Sequence, residues 1–169
     1  GLACVIAAKA AGADRVMVSG LTRDQDRLRV AQALGADDIV DVEAEDLESR
    51  VRALTDGRGV DLSIDTAGGA ETLALAMRVT RKNGMVLFAA APPETSALHA
   101  GQLLAGRLTL KPCRGHSYEA VEMALSYISS YISSGRFPLH LLATHRFGLN
   151  DVDLAIRSVG GQGAPGTPR

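Results

Sequence analysis

Short apolar runs alternate with segments whose apolar residues recur at helical spacing, nearly to the end of the chain. Residues 2–11 are small and apolar and stop before Gly12, which suits a helix closed by a C′ glycine. The β-branched run 15–19 (RVMVS) predicts a strand. Residues 23–34 are polar on one side and carry Leu28, Ala31 and Leu34 one helical turn apart, ending at Gly35. Residues 38–42 predict a second strand. Leu47, Val51 and Leu54 mark a charged surface helix that closes at Asp56, Gly57 and Gly59. Residues 60–65 (VDLSID) predict a third strand, followed by Gly68-Gly69 and a helix over 72–81.

Residues 85–91 are almost entirely apolar, the pattern of a strand covered on both faces, and Pro92-Pro93 ends them. A short helix over 99–105, a strand over 108–111, a long helix over 118–133, an extended return over 137–147 and a last helix over 150–159 complete the series. The tail 160–169 is dominated by Gly and Pro and predicts no regular structure. Strands alternating with helices of this length predict an α/β fold with a doubly wound parallel sheet, built by right-handed crossovers. Residues 1–159 thus read as one domain. The SYIS tetrad at 126–129 repeats at 130–133; four residues add one turn with about 40° of net rotation, so a duplication that lengthens one helix fits better than a functional motif.

Composition narrows the classes of partner. The chain has 169 residues, 46% apolar and 22% charged, with a net charge of −1, which suits one globular domain and offers no nucleic-acid or anionic-membrane surface. Aromatics at 4% leave no stacking platform for single strands. Cys4 and Cys113 are too few and too far apart for a disulfide framework, so a reducing cytoplasm is the expected location. No segment predicts a membrane span or a signal peptide. Gly1 opens directly into a helix-like segment with no initiator Met, as a fragment would.

In an open parallel sheet, ligands gather beyond the carboxyl ends of the strands. The loops at 20–23, 66–69, 89–93 and 112–115 therefore carry the candidate chemistry. No complete G-x-G-x-x-G is present, and Gly57-Arg58-Gly59 falls on the opposite edge, where it reads as a turn. Cys113 and His116 could supply half a zinc site, but no second pair accompanies them. His99, His140 and His145 are scattered, and Ser63 with Asp65 lacks a histidine at triad spacing. No catalytic residue and no metal site is assigned.

Several blocks, taken in order, resemble the coenzyme domain of medium-chain, zinc-type alcohol dehydrogenases, closest to the sorbitol and threonine dehydrogenase branches. They are GLACVIAAKAAG at 1–12, ALGADDIVDV at 33–42, LTDGRGVDLSIDTAGG at 54–69, RKNGMVLFAA at 81–90, RGHSYEAVEMAL at 114–125 and THRFGL at 144–149. The resemblance implies a Rossmann-type fold in which Gly1 is the third glycine of the phosphate-binding turn and Leu2 follows it. The first strand would then lie upstream, and its absence from the order 3-2-1-4-5-6 would leave two strands without a ladder partner. Buried unpaired backbone groups cost on the order of 1–3 kcal/mol each, so the chain alone is expected to be marginal or rearranged.

By the same resemblance, the residue ending the second strand sets coenzyme preference. Gly20 stands there instead of an acid, with Arg23 and Arg27 nearby, a pattern that favours NADP over NAD because arginine grips phosphate. Alternatively both arginines are solvated helix residues and Asp24 or Asp26 replaces the acid. Thr66, Ala67 and Gly68 would lie along the coenzyme, Ala89, Ala90 and Ala91 beside the nicotinamide amide, and Arg114 at the mouth of the last loop.

The implied activity is oxidation of a small alcohol or polyol (or reduction of a ketone) by NAD(P), with zinc held in a catalytic domain outside this chain and the segment inactive alone. A homo-oligomer could form through an edge strand at 81–91 or 108–111. Two other readings stand beside this one: a non-catalytic truncated remnant, and an S-adenosylmethionine-dependent methyltransferase-like domain. The second usually keeps an acid where Gly20 stands.

Overall fold

The computed structural model describes residues 1–69, 71–90, 100–113 and 115–159. The chain divides into two compact units, one of Gly1–Ala44 with Glu122–Arg169 and one of Glu45–Val121. Each has its own parallel sheet and its own core.

In the first unit, α1 (Leu2–Ala10) closes at Ala11, and Gly12 takes φ +88° while donating its N–H to the Lys9 carbonyl. A positive φ here explains the glycine that the sequence places after the helix. β1 (Met17–Gly20) and β2 (Asp38–Asp41) pair in parallel, with Val18 opposite Ile39. Between them a 3-10 turn (Thr22–Asp24) leads into α2 (Gln25–Ala33). Leu28, Ala31 and Leu34 are all buried, as their spacing predicts. Val5 and Ile6 of α1 join Ala31, Leu34, Tyr131 and Phe137 in one apolar cluster. Arg15 clamps the buried Asp38 (2.6 Å) and Lys9 pairs with Asp37 (2.7 Å), fixing the strand entrances.

In the second unit, α3 (Leu47–Leu54) is capped by Asp46, whose carboxylate accepts the Ser49 N–H at 2.7 Å. β3 (Val60–Asp65), α4 (Thr72–Val79), β4 (Thr80–Phe88), α5 (Ala100–Gly106) and β5 (Thr109–Pro112) follow in the order the sequence predicts. The sheet is parallel with strand order β3-β4-β5, and Ser63, Val86 and Leu110 lie in register on one face. That face is covered: Val86 packs with Leu73, Ala76 and Met77 of α4 and with Leu103 of α5. Leu62, Ile64 and Met85 of the opposite face remain exposed.

Four sequence expectations are corrected. β4 begins at Thr80, five residues before the expected strand, because Thr80 pairs with Val60 ahead of a four-residue excursion, 81–84. Asn83 takes φ +58° in that excursion, and a side chain at Gly84 would lie 2.8 Å from the Arg81 carbonyl. β4 is not covered on both faces, since Met85 is 37% exposed. Among the described residues β4 is also interior, between β3 and β5, so it does not form a sheet edge, whereas β5 pairs on one side only. Finally, the return over 137–147 is not extended but contains a 3-10 turn, Leu139–Leu142, seeded after Pro138.

The long helix α6 runs Tyr118–Ser134 through both SYIS copies without a break. Tyr127 and Tyr131 stack one turn apart at 5.6 Å, and Tyr131 meets the edge of Phe137 at 4.7 Å. A second 3-10 turn, Leu149–Asp151, opens α7 (Val152–Val159). The tail 160–169 lies outside the described residues. β1 and β3 each pair on one side only among the described residues.

Candidate functional site

The carboxyl ends of the strands carry the residues that the sequence singles out. In the first unit, Gly1 is the N-cap of α1, with its carbonyl accepting the Cys4 N–H at 2.9 Å; Leu2 is the first helical residue and half-buried. Gly1 has no side chain to cover the free N–H groups of that first turn.

Gly20 ends β1. A Cβ there would lie 3.1 Å from Leu28 Cδ2, so glycine lets α2 close down on the strand end. Thr22 is held by the end of β2 and the turn after it: its hydroxyl donates to Asp41 (2.7 Å) and its N–H to Glu43 (2.8 Å). Gln25 and the Glu43 N–H also donate to Asp41, and these donors, the Thr22 hydroxyl foremost, hold the Asp41 carboxyl below its usual range. Arg23 projects from the same turn, exposed and without a hydrogen-bond or ion-pair partner among the described residues. Arg27 differs: Asp24 engages it at 3.2 Å, while the other oxygen of Asp24 accepts the Leu21 N–H. The two arginines are therefore not equivalent, and Asp24 is occupied with its own turn.

In the second unit, the loop after β3 is organised by Asp65, a residue the sequence reading considered only as a triad member. Its carboxylate is buried and accepts the Ala67 N–H (2.9 Å), the Gly68 N–H (3.2 Å) and the Thr72 hydroxyl (3.0 Å). Its carbonyl accepts the Ala89 N–H at 2.8 Å. Asp65 thus sets the path of Thr66, Ala67 and Gly68 and ties them to the end of β4. An Asp directly followed by T-A-G-G is an Asx-turn signal, and it was available in the sequence. Gly68 takes φ +69°, which glycine tolerates. Ala89 and Ala90 follow β4 immediately; Ala91 and Arg114 lie outside the described residues. Cys113 is half-buried and His116 exposed, and among the described residues no group of His, Cys, Asp or Glu is gathered for a metal. No helix of the described residues is long and apolar enough to cross a membrane.

Comparison with known proteins gives the family and the fold. A model of the family described as "zinc-binding dehydrogenase" matches residues 1–130. Sorbitol dehydrogenase of Bombyx mori is 30% identical over 92% of this chain and 44% of its own length. L-threonine 3-dehydrogenase of Bacillus licheniformis is 28% identical over 90% of this chain and 43% of its own. Among solved structures, an alcohol dehydrogenase of Thermotoga maritima superposes with a TM-score of 0.85 at 23% identity, covering 95% of this chain and 44% of that one. The chain spans less than half the length of these proteins. Its fold is that of their Rossmann-like coenzyme domain.

Proposed function

Because the chain belongs to the zinc-binding dehydrogenase family, we propose that it is the coenzyme-binding part of an alcohol or polyol dehydrogenase and takes a nicotinamide dinucleotide. The observation that carries this reading is the Asp65-organised loop beside Ala89, at the strand ends where an open α/β sheet receives its ligand. In the second unit, Thr66, Ala67, Gly68, Ala89 and Ala90 offer small side chains and backbone groups to the nicotinamide end, with Ala91 and Arg114 assigned to it by sequence. In the first unit, Gly1 and Leu2 open a helix toward phosphate, and Gly20, Arg23 and Arg27 meet the adenosine ribose. When bound, NAD(P) accepts the hydride of a secondary alcohol; the residues here bind and orient it. The described residues do not fit a zinc ion, and none is assigned to one.

NADP is the preferred coenzyme in this reading. Arg23 is free to grip a 2′-phosphate, no carboxylate stands at Gly20, and the nearest acids, Asp24 and Asp41, are engaged within the fold. A free edge on β5 supports pairing of two copies there. The test is a calorimetric titration of the full chain and of Arg23→Ala with NADPH and NADH. Loss of one charge-assisted phosphate contact is expected to weaken NADPH by roughly tenfold and NADH hardly at all. Equal weakening of both would remove the NADP assignment, and no binding of either by the unaltered chain would remove the function itself.

A further inference from the structure

The edge of the β3-β4-β5 sheet opposite the loops assigned to the coenzyme carries a concavity. β3 spans six residues, about 20 Å of extended chain, and the hollow lies at its amino end. Its volume is about 480 Å³, and Arg52, Arg58, Arg78, Arg81 and Lys82 line it with no acidic residue among them. The backbone explains the convergence. Gly59 has φ +92°, and a Cβ there would lie 2.6 Å from the Val79 carbonyl, so the 57–59 turn lies flush on the start of β4. This brings Arg58 to one rim while the 81–84 excursion, which only Gly84 permits, brings Arg81 and Lys82 to the other.

Two carboxylates neutralise part of this charge. Glu48 engages Arg52 (2.8 Å) and Arg78 (3.4 Å), and Asp61 engages Arg81. Cations remain in surplus, and most of their donors remain unused, since each guanidinium carries several N–H groups. Among the described residues the Arg58 guanidinium donates only to the Thr55 carbonyl (3.3 Å), and the Lys82 ammonium has no partner, although the Lys82 carbonyl accepts from Arg81 Nη1 at 2.9 Å. The Asp61 carboxyl is held below its usual range by Arg81 and, at longer reach, by Arg58, as a positive local field requires. An adjoining hollow of about 390 Å³ shares Arg52, Arg78, Thr80 and Lys82 and reaches Gln102, whose buried Oε1 has no hydrogen-bond partner among the described residues. A buried acceptor left unpaired is costly, and a hydroxyl donor from a ligand would relieve it.

We propose that this hollow binds a multiply charged, phosphate-bearing anion, separately from the coenzyme. Guanidinium forks facing each other across a space larger than a single oxyanion match phosphate geometry and charge. The overall charge of −1 argues for a small ligand rather than a nucleic-acid backbone.

The test uses the full chain, 15N-labelled, titrated with pyrophosphate near physiological ionic strength. Saturable shifts are expected at the amides of Gly57, Gly59 and Lys82, which separates this site from the helix at Gly1. The variant Arg58→Gln with Lys82→Gln, both exposed and neither bonded to a carboxylate, is expected to need roughly tenfold more pyrophosphate. Arg29→Gln, on α2, is expected to change nothing. Glycerol 3-phosphate distinguishes the source: with the same saturable shifts at Gly57, Gly59 and Lys82, a response of the Gln102 side-chain amide marks an organic phosphate ester and its silence a bare anion, whereas pyrophosphate and glycerol 3-phosphate both leaving those amides unmoved would overturn the proposal. Shifts that never saturate, a double variant that titrates like the parent, or citrate acting as strongly as pyrophosphate would each overturn the proposal.

Discussion

At the residue scale, the most consequential group is Asp65. Its single carboxylate holds two backbone N–H groups and one hydroxyl in a buried turn. Replacing it by Ala leaves the Ala67 and Gly68 N–H groups unpaired, while the Thr72 hydroxyl keeps the Gly69 carbonyl at 2.9 Å; this is expected to cost on the order of 1–3 kcal/mol by urea unfolding and to weaken dinucleotide binding, because Thr66–Gly68 lose their fixed path. Unchanged stability with unchanged binding would show that the loop is held by something else. The exposed carboxylates tell a different story. Asp37 is held low by Lys9 and the Val16 N–H, Asp41 by Thr22, Asp46 by Ser49 and Asp61 by Arg81. Each is lowered in the folded chain, so the unfolded chain binds more protons and stability rises with pH across their titration. Their contribution is complete above the ordinary carboxylate value of about 4 and is lost as the pH falls through the folded values. Unfolding midpoints followed by circular dichroism are therefore expected to be flat from neutrality to about pH 5 on this account and to fall below about pH 4. Because these groups are exposed or, in the case of Asp41, half-buried, each effect is small singly.

At the element scale, the doubled SYIS shows how repeated sequence acquires unequal roles. Both copies continue one helix, yet Tyr131 of the second copy is 5% exposed and Tyr127 of the first is 41% exposed. Only Tyr131 reaches Phe137 and the α1 cluster, with Arg136 poised 5.9 Å from its ring. Tyr131→Ala is expected to cost about 3–5 kcal/mol, as buried aromatic truncations do, and Tyr127→Ala clearly less; equal losses in thermal unfolding would refute the asymmetry. Such asymmetry was not legible in the sequence, because periodicity marks a face without saying what meets it. The existence of the elements was legible: β3 and α3 match their expected bounds, and Leu28, Ala31 and Leu34 form the buried stripe their spacing announced. What failed was local and has a physical cause. The apolar run after Gly84 hid an earlier pairing at Thr80, because an excursion built on Asn83 and Gly84 separates the two contacts. The stretch after Pro138 carries apolar residues at strand-like spacing but winds into a 3-10 turn.

At the scale of the whole molecule, five parallel strands fall into sheets of two and three, and β1 and β3 each keep one unpaired side among the described residues. Alternation of elements was sufficient to read this doubly wound class, and the strand-end rule named the loops at which a ligand is expected. Burial and side-chain pairing were not readable: nothing in the spacing distinguishes Arg23, which has no partner among the described residues, from Arg27, which Asp24 engages. The central claim is that these strand ends bind a nicotinamide dinucleotide. Thermal unfolding of the 169-residue chain with NADPH, NADH or S-adenosylmethionine tests it most directly. At a hundredfold excess over Kd, NADPH is expected to stabilise by about 2.7 kcal/mol, a rise of roughly 5–10 °C in Tm, with NADH giving less and S-adenosylmethionine nothing. A rise with S-adenosylmethionine and none with either dinucleotide would contradict it.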